Sequence, residues 1–266
     1  MAKQKKIIYY DDALHDDFAG TNIQKTVVDE TFPYVHENPL WRAVSNIAYY
    51  GIAYPLVWFF ERVILGMRFV NKEAVKQCKD RSFFLYGNHT GWYDAFTPNV
   101  ISLPRRRNRI IVEADTVSIP GLRNIVQMLG AIPLPTSPKG MKKFIQAVNR
   151  FHEDGNITVY PEAHIWPYYT GVRPFPDSSF GYAVKRNSPV IAFFTAYSSP
   201  KGLLGKLRKA SITVYVSDPF YPDPSLSPVE ARKKLRDQVY AFMLEKSKHS
   251  DYEVYQYIPR SQKTDT

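Results

Sequence analysis

Residues 85–94 read LYGNHTGWYD and mark a transition from an apolar run to a polar turn. Residues 82–86, SFFLY, form the short apolar run that is typical of a strand covered on both faces. Gly87 and Asn88 end this run, since both residue types tolerate turn geometry. We therefore expect a buried strand, followed at once by a turn that presents polar side chains.

His89 and Asp94 lie in this turn, five positions apart. A helix that begins near Trp92 would bring the carboxylate back toward the imidazole. A carboxylate bonded to one ring nitrogen fixes the tautomer and makes the other nitrogen a better base, so the pair is suited to deprotonate an alcohol. The same spacing also occurs in pairs with purely structural roles, and both interpretations stay open here.

The rest of the chain alternates short apolar runs with helical patterns, which is typical of a layered α/β domain. Ser227 and Glu230 form a capping box at the start of a long helix. Because the predicted crossovers vary in length, we expect a mixed β-sheet flanked by helices. The predicted strands are 82–87, 109–114, 131–134, 157–160, 189–197 and 211–217, and the predicted helices are 92–101, 120–129, 139–152, 180–185 and 227–248.

The composition favours an anionic partner. The 266 residues include 35 Lys and Arg against 25 Asp and Glu, a formal net charge of +10. Such a charge is typical of proteins that bind nucleic acid, a membrane surface or a phosphorylated substrate. No nucleic-acid reader motif or basic recognition helix occurs, so we expect no nucleic-acid partner. The single cysteine, Cys78, excludes an internal disulfide and fits a reducing compartment.

A metal site and a serine nucleophile find little support in the sequence. His89, Asp94, Glu162 and His164 carry nitrogen and oxygen ligands, but no His-x-x-x-His or His-Glu-x-x-His pattern occurs. There is no Gly-x-Ser-x-Gly elbow either. We therefore expect chemistry without a metal ion and without a serine intermediate.

Residues 39–70 form an apolar segment between a polar N-terminal arm, residues 1–38, and the α/β domain, residues 71–266. Residues 43–60 contain no charge, and this length is near the ~18 residues that indicate a membrane span. Pro55 interrupts the stretch, whose tyrosines and tryptophan are typical of a membrane interface. We favour an apolar helical hairpin that lies in one leaflet. A true span and a helix pair packed in the core remain alternatives.

Two basic loops also favour contact with a membrane surface. Residues 201–209, KGLLGKLRK, mix cations with leucines, and Arg105, Arg106 and Arg107 form a second cluster. Such loops suit the anionic headgroups of a bilayer, and solvated loop charges have the same composition. We expect a peripheral or monotopic protein on the cytoplasmic face of a membrane, in contact with anionic lipids.

Residues 88–94, NHTGWYD, resemble the first motif of the glycerolipid acyltransferases, the family of lysophosphatidic acid acyltransferase, which reads Asn-His-x-x-x-x-Asp. Residues 160–167, YPEAHIWP, resemble the family's Phe-Pro-Glu-Gly-Thr-Arg motif and keep its aromatic-Pro-Glu start. Residues 163–165, AHI, replace Gly-Thr-Arg. The arginine that helps to hold the acceptor's phosphate in the family is therefore missing.

Two further blocks extend the resemblance. Residues 130–136, GAIPLPT, keep the apolar frame of the third block but lack its Asp-Arg, and residues 173–194 match the fourth block. A second basic group is thus missing on the acceptor side. We expect Arg173, Lys139, Lys142 or Lys143 to bind the acceptor's phosphate instead, since an arginine fork and a lysine point charge both bind phosphate.

The resemblance implies direct transfer of an acyl group from a thioester to the hydroxyl of a lysophospholipid such as 1-acyl-glycerol-3-phosphate. The thioester would be carried by acyl carrier protein or coenzyme A, and no further cofactor is implied. His89 would be the general base and Asp94 its orienting partner. Asn88, Glu162 and His164 would bind substrate.

Acyl transfer also needs hydrogen-bond donors aimed at the developing oxyanion. We expect the backbone amides near Gly91 or Ala163 to supply them. Because two motifs are altered, an alternative of another class remains: a catalytically degenerate lipid-binding or scaffold protein on the same fold.

Overall fold

The computed structural model describes residues 6–18, 26–102, 106–201, 205 and 208–262. Its strands are β1 (Lys6–Tyr10), β2 (Arg68–Val70), β3 (Phe84–Gly87), β4 (Arg107–Val112), β5 (Ala131–Pro133), β6 (Gly155–Val159), β7 (Val190–Ser198), β8 (Ser211–Val216) and β9 (Tyr255–Pro259). Its α-helices are α1 (Pro39–Asn46), α2 (Tyr54–Phe59), α3 (Thr97–Ile101), α4 (Arg123–Met128), α5 (Met141–His152), α6 (Gly181–Arg186) and α7 (Pro228–Ser247).

A seven-stranded sheet has the order β2-β8-β7-β3-β6-β4-β5. Neighbouring strands are parallel except for β7 and β8, which are antiparallel. Strands β1 and β9 form a separate parallel pair. The predicted α/β class with a mixed sheet and flanking helices is confirmed.

Strand β3 lies at the centre of this sheet, and both of its faces are covered. Phe84 and Tyr86 pack in a core formed with α5, α6 and α7. Phe83 and Leu85 pack in a second core on the other face, because successive side chains of a strand alternate. This burial holds the end of β3, and with it the following polar turn, at a defined place on the sheet edge.

The helix predicted near residues 92–101 is divided into a 3-10 turn, Trp92–Ala95, and α3. The capping box at the start of α7 is present, since the backbone N–H of Ser227 donates to Glu230 at 3.0 Å and that of Glu230 donates to Ser227 at 3.3 Å. The short strands β1, β2 and β9 were not predicted, because each lies outside the alternation of apolar runs and helical patterns that extends from residue 82 to residue 248.

The described parts of the polar arm pack closely against the domain. Val28 and Phe32 are buried in the core that contains β3. Further upstream, the indole N–H of Trp166 donates to the carbonyl of Asp16 at 2.8 Å. Residues 1–5 and 19–25 of the predicted arm lie outside the described residues, as do Arg105 and most of the basic loop at 201–209.

Residues 39–64 are helical throughout, because π-helical turns at Ile47–Ala53 and Phe60–Ile64 continue α1 and α2. Pro55 lies two residues after the end of the first of these turns, whose wider hydrogen-bond spacing accommodates the absence of a backbone N–H at proline. The predicted hairpin is not confirmed, since no chain reversal separates the two pieces. Among the described residues, no helix has the length and apolarity needed to cross a membrane.

The side chains that this helical segment buries are polar ones. The buried residues are Ser45, Tyr49 and Glu61. The hydroxyl of Ser45 donates to the carbonyl of Met128 at 3.0 Å. A helix packed on a globular core buries its apolar stripe instead. The segment is therefore inverted, with large apolar side chains at the surface: Leu40 is 71%, Ile47 64% and Leu56 62% exposed.

Candidate active site

His89 and Asp94 meet where the chain leaves β3. Nδ1 of His89 lies 3.0 Å from Oδ2 of Asp94. The same oxygen accepts the backbone N–H groups of Thr90 at 2.6 Å and Gly91 at 2.8 Å. The 3-10 turn Trp92–Ala95 brings the carboxylate back over the start of the loop. The structure thus brings together the two side chains that the sequence spacing pairs.

The environment of this pair suits proton transfer. The Asp94 side chain is fully buried, whereas that of His89 is 25% exposed. Oδ1 of Asp94 is buried and has no hydrogen-bond partner in the described part of the chain. Because the carboxylate holds Nδ1–H, the lone pair that can accept a proton is on Nε2 of His89.

Tyr160 supports the pair from the end of β6. Its ring stacks on His89 with centroids 4.6 Å apart and an interplanar angle of 20°. Its hydroxyl donates to the backbone carbonyl of Asp94. Burial raises the pKa of Tyr160, so the phenol stays neutral and remains a donor. The sequence signal for this role was the aromatic residue before Pro161.

Glu162 joins the two loops at this edge of the sheet. One carboxylate oxygen accepts the backbone N–H of His89 at 3.3 Å, and the other accepts the backbone N–H of Arg173 at 3.0 Å. Burial raises the pKa of Glu162, and the Arg173 guanidinium at 3.5 Å opposes this effect. Glu162 therefore positions the backbone of His89. Its carboxylate contacts other groups of the protein, whereas the expectation was contact with the substrate.

Arg173 lies behind Glu162, away from solvent. Its side chain is 1% exposed, and its guanidinium also donates to the carbonyls of His164 and Ala13. The group stacks over the Trp166 ring at 4.9 Å. This placement differs from the expected one, because a guanidinium that binds an incoming phosphate has to face the acceptor.

Asn88 is also enclosed by the protein. Its side-chain amide donates to the carbonyl of Thr195 at 3.2 Å, and its oxygen accepts the N–H of the same residue at 2.8 Å. Asn88 is fully buried. The side chain therefore continues the pairing of β3 with β7 beyond the end of β3, and it fixes the direction in which the chain enters the His89 loop.

His164, Lys139 and Lys142 are the expected substrate-binding groups that reach the surface. His164 is partly exposed, with Nδ1 4.0 Å from a carboxylate oxygen of Asp17. It borders a cavity of about 490 Å³ between the loop after β6 and the N-terminal arm. The two exposed lysines follow β5, which is three strands from β3 in the sheet order, or ~14 Å.

The backbone amides that we expected to form an oxyanion hole are engaged in the protein. The N–H of Gly91 donates to Asp94 at 2.8 Å. The N–H of Ala163 donates to the carbonyl of Tyr160 at 3.0 Å. Each of these two donors closes a turn, and an oxyanion hole formed by amides near these positions stays a prediction.

Glu61 is a buried carboxyl near the pair that sequence analysis missed. It lies on the inner side of the helical segment 39–64 and accepts the hydroxyl of Thr97 at 2.8 Å. Burial raises its pKa to about 8, and the charge of Asp94 acts in the same direction. Its signal in the sequence was a single acid in an otherwise apolar stretch.

The described residues contain no group of three or more His, Cys, Asp or Glu side chains that could hold a metal ion. A His–Asp pair at the carboxyl edge of the parallel strands is an arrangement that can carry out general base chemistry.

The comparisons identify the family. Residues 66–195 match the model of the family described as Acyltransferase. The resemblance drawn from the motifs is thereby confirmed over these residues. No curated protein matches the sequence.

One solved structure supports the fold. The crystal structure of the 1-acyl-sn-glycerophosphate (LPA) acyltransferase PlsC from Thermotoga maritima superposes with a TM-score of 0.53. The two sequences are 18% identical, and the match covers 74% of this chain and 80% of that chain. At this identity the likeness describes the architecture.

Proposed function

We propose that this protein transfers an acyl group from a thioester to the hydroxyl of a lysophospholipid, with His89 as general base. The observation that carries the proposal is the hydrogen bond between Nδ1 of His89 and the buried carboxylate of Asp94, at 3.0 Å. This bond orients the ring and stabilises the imidazolium that forms when Nε2 takes a proton.

The reaction needs one proton transfer in each direction. Nε2 of His89 removes the proton of the acceptor hydroxyl while its oxygen attacks the thioester carbonyl. The tetrahedral intermediate then expels the thiolate, which takes the proton back from His89. The products are the ester and the free thiol of acyl carrier protein or coenzyme A, and no acyl-enzyme is formed.

His164 is our candidate for contact with the acceptor's headgroup. It is partly exposed beside the cavity of about 490 Å³, and Glu162 lines the same cavity. Replacement of His164 by Ala should raise the acceptor KM while kcat changes less. An unchanged acceptor KM would remove His164 from the substrate-binding set.

We further propose that the enzyme works as a peripheral or monotopic protein on the cytoplasmic face of a membrane. The support is the inverted helical segment 39–64, whose large apolar side chains face solvent while its buried residues are polar. The ring of Phe60 lies 5.2 Å from that of Trp92, next to the His89 loop. Docking of this segment would therefore bring the site to the lipid surface.

Membrane docking can be tested without an activity assay. Ile47→Ser should weaken binding to neutral phosphatidylcholine vesicles, because it removes apolar surface from the docking side. Val229→Ser is a suitable control, since Val229 is a similarly apolar surface residue outside the segment. Equal loss of binding in both variants would contradict the proposed surface.

The activity itself is tested in mixed micelles. Acyl thioesters of acyl carrier protein and of coenzyme A are offered against lysophosphatidate and a panel of other lysolipids. His89→Ala should abolish turnover, whereas His249→Ala, at an exposed histidine, should not. The absence of turnover with every pair, from folded protein that binds vesicles, would favour the alternative of a degenerate lipid-binding protein.

A further inference from the structure

A second cavity lies at the amino-terminal ends of the parallel strands, opposite to the end that carries His89. Its volume is about 280 Å³, and its walls include the start of β4, the residues just before β5 and β6, and one side of α1. His89 follows the carboxyl end of β3, so the two sites are separated by the length of a strand. About six residues of extended chain span ~20 Å.

The walls of this cavity carry an excess of positive charge. Four arginines and two carboxylates line it. Arg109 pairs with Asp154 at 3.1 Å. In the described part of the chain, Arg42 and Arg107 have no carboxylate within 4.0 Å. The balance therefore favours a bound anion.

Arg107 is held in place by its neighbours. Its guanidinium stacks over the Tyr49 ring at 4.6 Å and donates to the hydroxyl of Ser45 at 2.9 Å. Its Nε is buried and has no partner within the described ranges. Burial, and secondarily the charge of Arg109, lower the pKa of Arg107 to about 10. An anion at the guanidinium end of Arg107 would relieve the repulsion between the two cations.

The cavity opens beside the exposed apolar side of α1. Trp41 lines it and stacks on His36 with centroids 3.9 Å apart. Nε2 of His36 is buried, again without a partner among the residues described. Leu40 and Val44 of the same helix are exposed. Cationic donors next to exposed apolar side chains match the boundary between lipid headgroups and acyl chains.

We propose that this cavity binds the phosphate of an anionic membrane phospholipid, separately from the acyl acceptor. Arg42 and Arg107 would contact the phosphate oxygens, while the acyl chains lie along α1. The proposal rests on the membrane association proposed above. The reacting hydroxyl of a lysophospholipid is only a few bonds from its phosphate, so a lipid seated here is too far from His89 to react. The bound lipid would instead fix the orientation of the protein on the bilayer.

The test compares vesicle binding of four variants. Vesicles of phosphatidylcholine are prepared with and without phosphatidate, and binding is measured by co-sedimentation at fixed ionic strength. The variants are Arg42→Gln, Arg42→Lys, Arg107→Gln and the control Lys233→Gln. Lys233 is exposed on α7 and does not line the cavity, and its replacement changes the net charge equally. Arg42 is exposed as well, so its replacement leaves the core intact.

The expected result is a loss of about tenfold to hundredfold in phosphatidate-dependent binding for Arg42→Gln, because a charge-assisted hydrogen bond to phosphate is removed. Arg42→Lys should lose less, and Lys233→Gln should bind like the wild type. Equal effects of Arg42→Gln and Lys233→Gln would overturn the proposal in favour of diffuse charge attraction.

Coenzyme A and inorganic phosphate also present phosphate groups, and their binding is measured by calorimetry. Coenzyme A binding that Arg42→Gln abolishes, with vesicle binding unchanged, would assign the cavity to the acyl donor and overturn the lipid site. Acyl transfer is measured in parallel in neutral detergent micelles. Normal turnover of Arg42→Gln there, together with weak vesicle binding, would support the lipid site. A wild type without turnover would refute the proposed reaction and leave the vesicle comparison valid.

Discussion

Replacement of Asp94 by Asn separates the charge of the proposed base pair from its geometry. All three hydrogen bonds to the Asp94 carboxylate converge on Oδ2, from Nδ1 of His89 and the N–H groups of Thr90 and Gly91. The amide oxygen of Asn can take the place of Oδ2 and keep all three. The amide nitrogen then takes the place of Oδ1, which is buried without a partner among the described residues.

The expected loss follows from the missing charge. Two unit charges ~4 Å apart at an effective dielectric constant of ~20 attract each other by about 4 kcal/mol. If the imidazolium is nearly complete in the transition state, losing this attraction lowers kcat by about 10³-fold. The acceptor KM should change little, because the carboxylate is buried and does not touch the acceptor.

The assay is steady-state acyl transfer in mixed micelles, with urea unfolding of each variant alongside. Asp94→Asn should cost about 1–3 kcal/mol of stability, since the amide nitrogen is buried without a partner. Asp94→Ala serves as the comparison, because it leaves the N–H groups of Thr90 and Gly91 without their acceptor and frees the His89 ring. Turnover of Asp94→Asn within tenfold of the wild type would refute the role of the carboxylate in catalysis.

Three further predictions concern stability. Burial raises the pKa of Glu61 from 4.5 to about 8, so the folded state holds this proton more tightly and loses stability as the pH rises through that window. Glu61→Gln should match the wild type near pH 4 and be more stable above pH 8, by at most about 5 kcal/mol in urea unfolding, and equal differences at both pH values would contradict this. Ala163 has a φ of 62°, in the left-handed region, so Ala163→Gly should raise stability by about 1 kcal/mol, and a lower Tm would argue against backbone strain. Arg173→Met leaves the carboxylate of Glu162 buried without its cation and should cost about 3–5 kcal/mol, whereas unchanged stability with a raised acceptor KM would return Arg173 to the acceptor site.

The sequence alone determined the features that depend on neighbours along the chain. The apolar run of β3, the turn residues after it and the short span from His89 to Asp94 are local, so the strand and the contact between these two side chains were predictable. The capping box of Ser227 and Glu230 is local for the same reason. The motifs also sufficed for the acyltransferase family.

Only the tertiary structure decided which polar side chains remain available to bind a substrate and which are used in hydrogen bonds within the protein. Asn88 is enclosed by Thr195, which is 107 positions away, and the phenol of Tyr49 accepts the N–H of Asn108 across 59 positions. The sequence shows that such side chains are polar, but it does not show which distant backbone group they meet. The same reason applies to Arg173, which carried the right charge for a phosphate and is instead enclosed behind Glu162.

The helical segment 39–64 also shows what the sequence determines and what the tertiary structure decides. Its apolar composition was evident, and it favoured a position in one leaflet, with a span and a core-packed helix pair as alternatives. Which side is buried depends on the partners that the fold supplies, and these partners are hydrogen-bonding groups such as Thr97 and the carbonyl of Met128. Because the fold satisfies the polar side chains, the apolar ones are left at the surface.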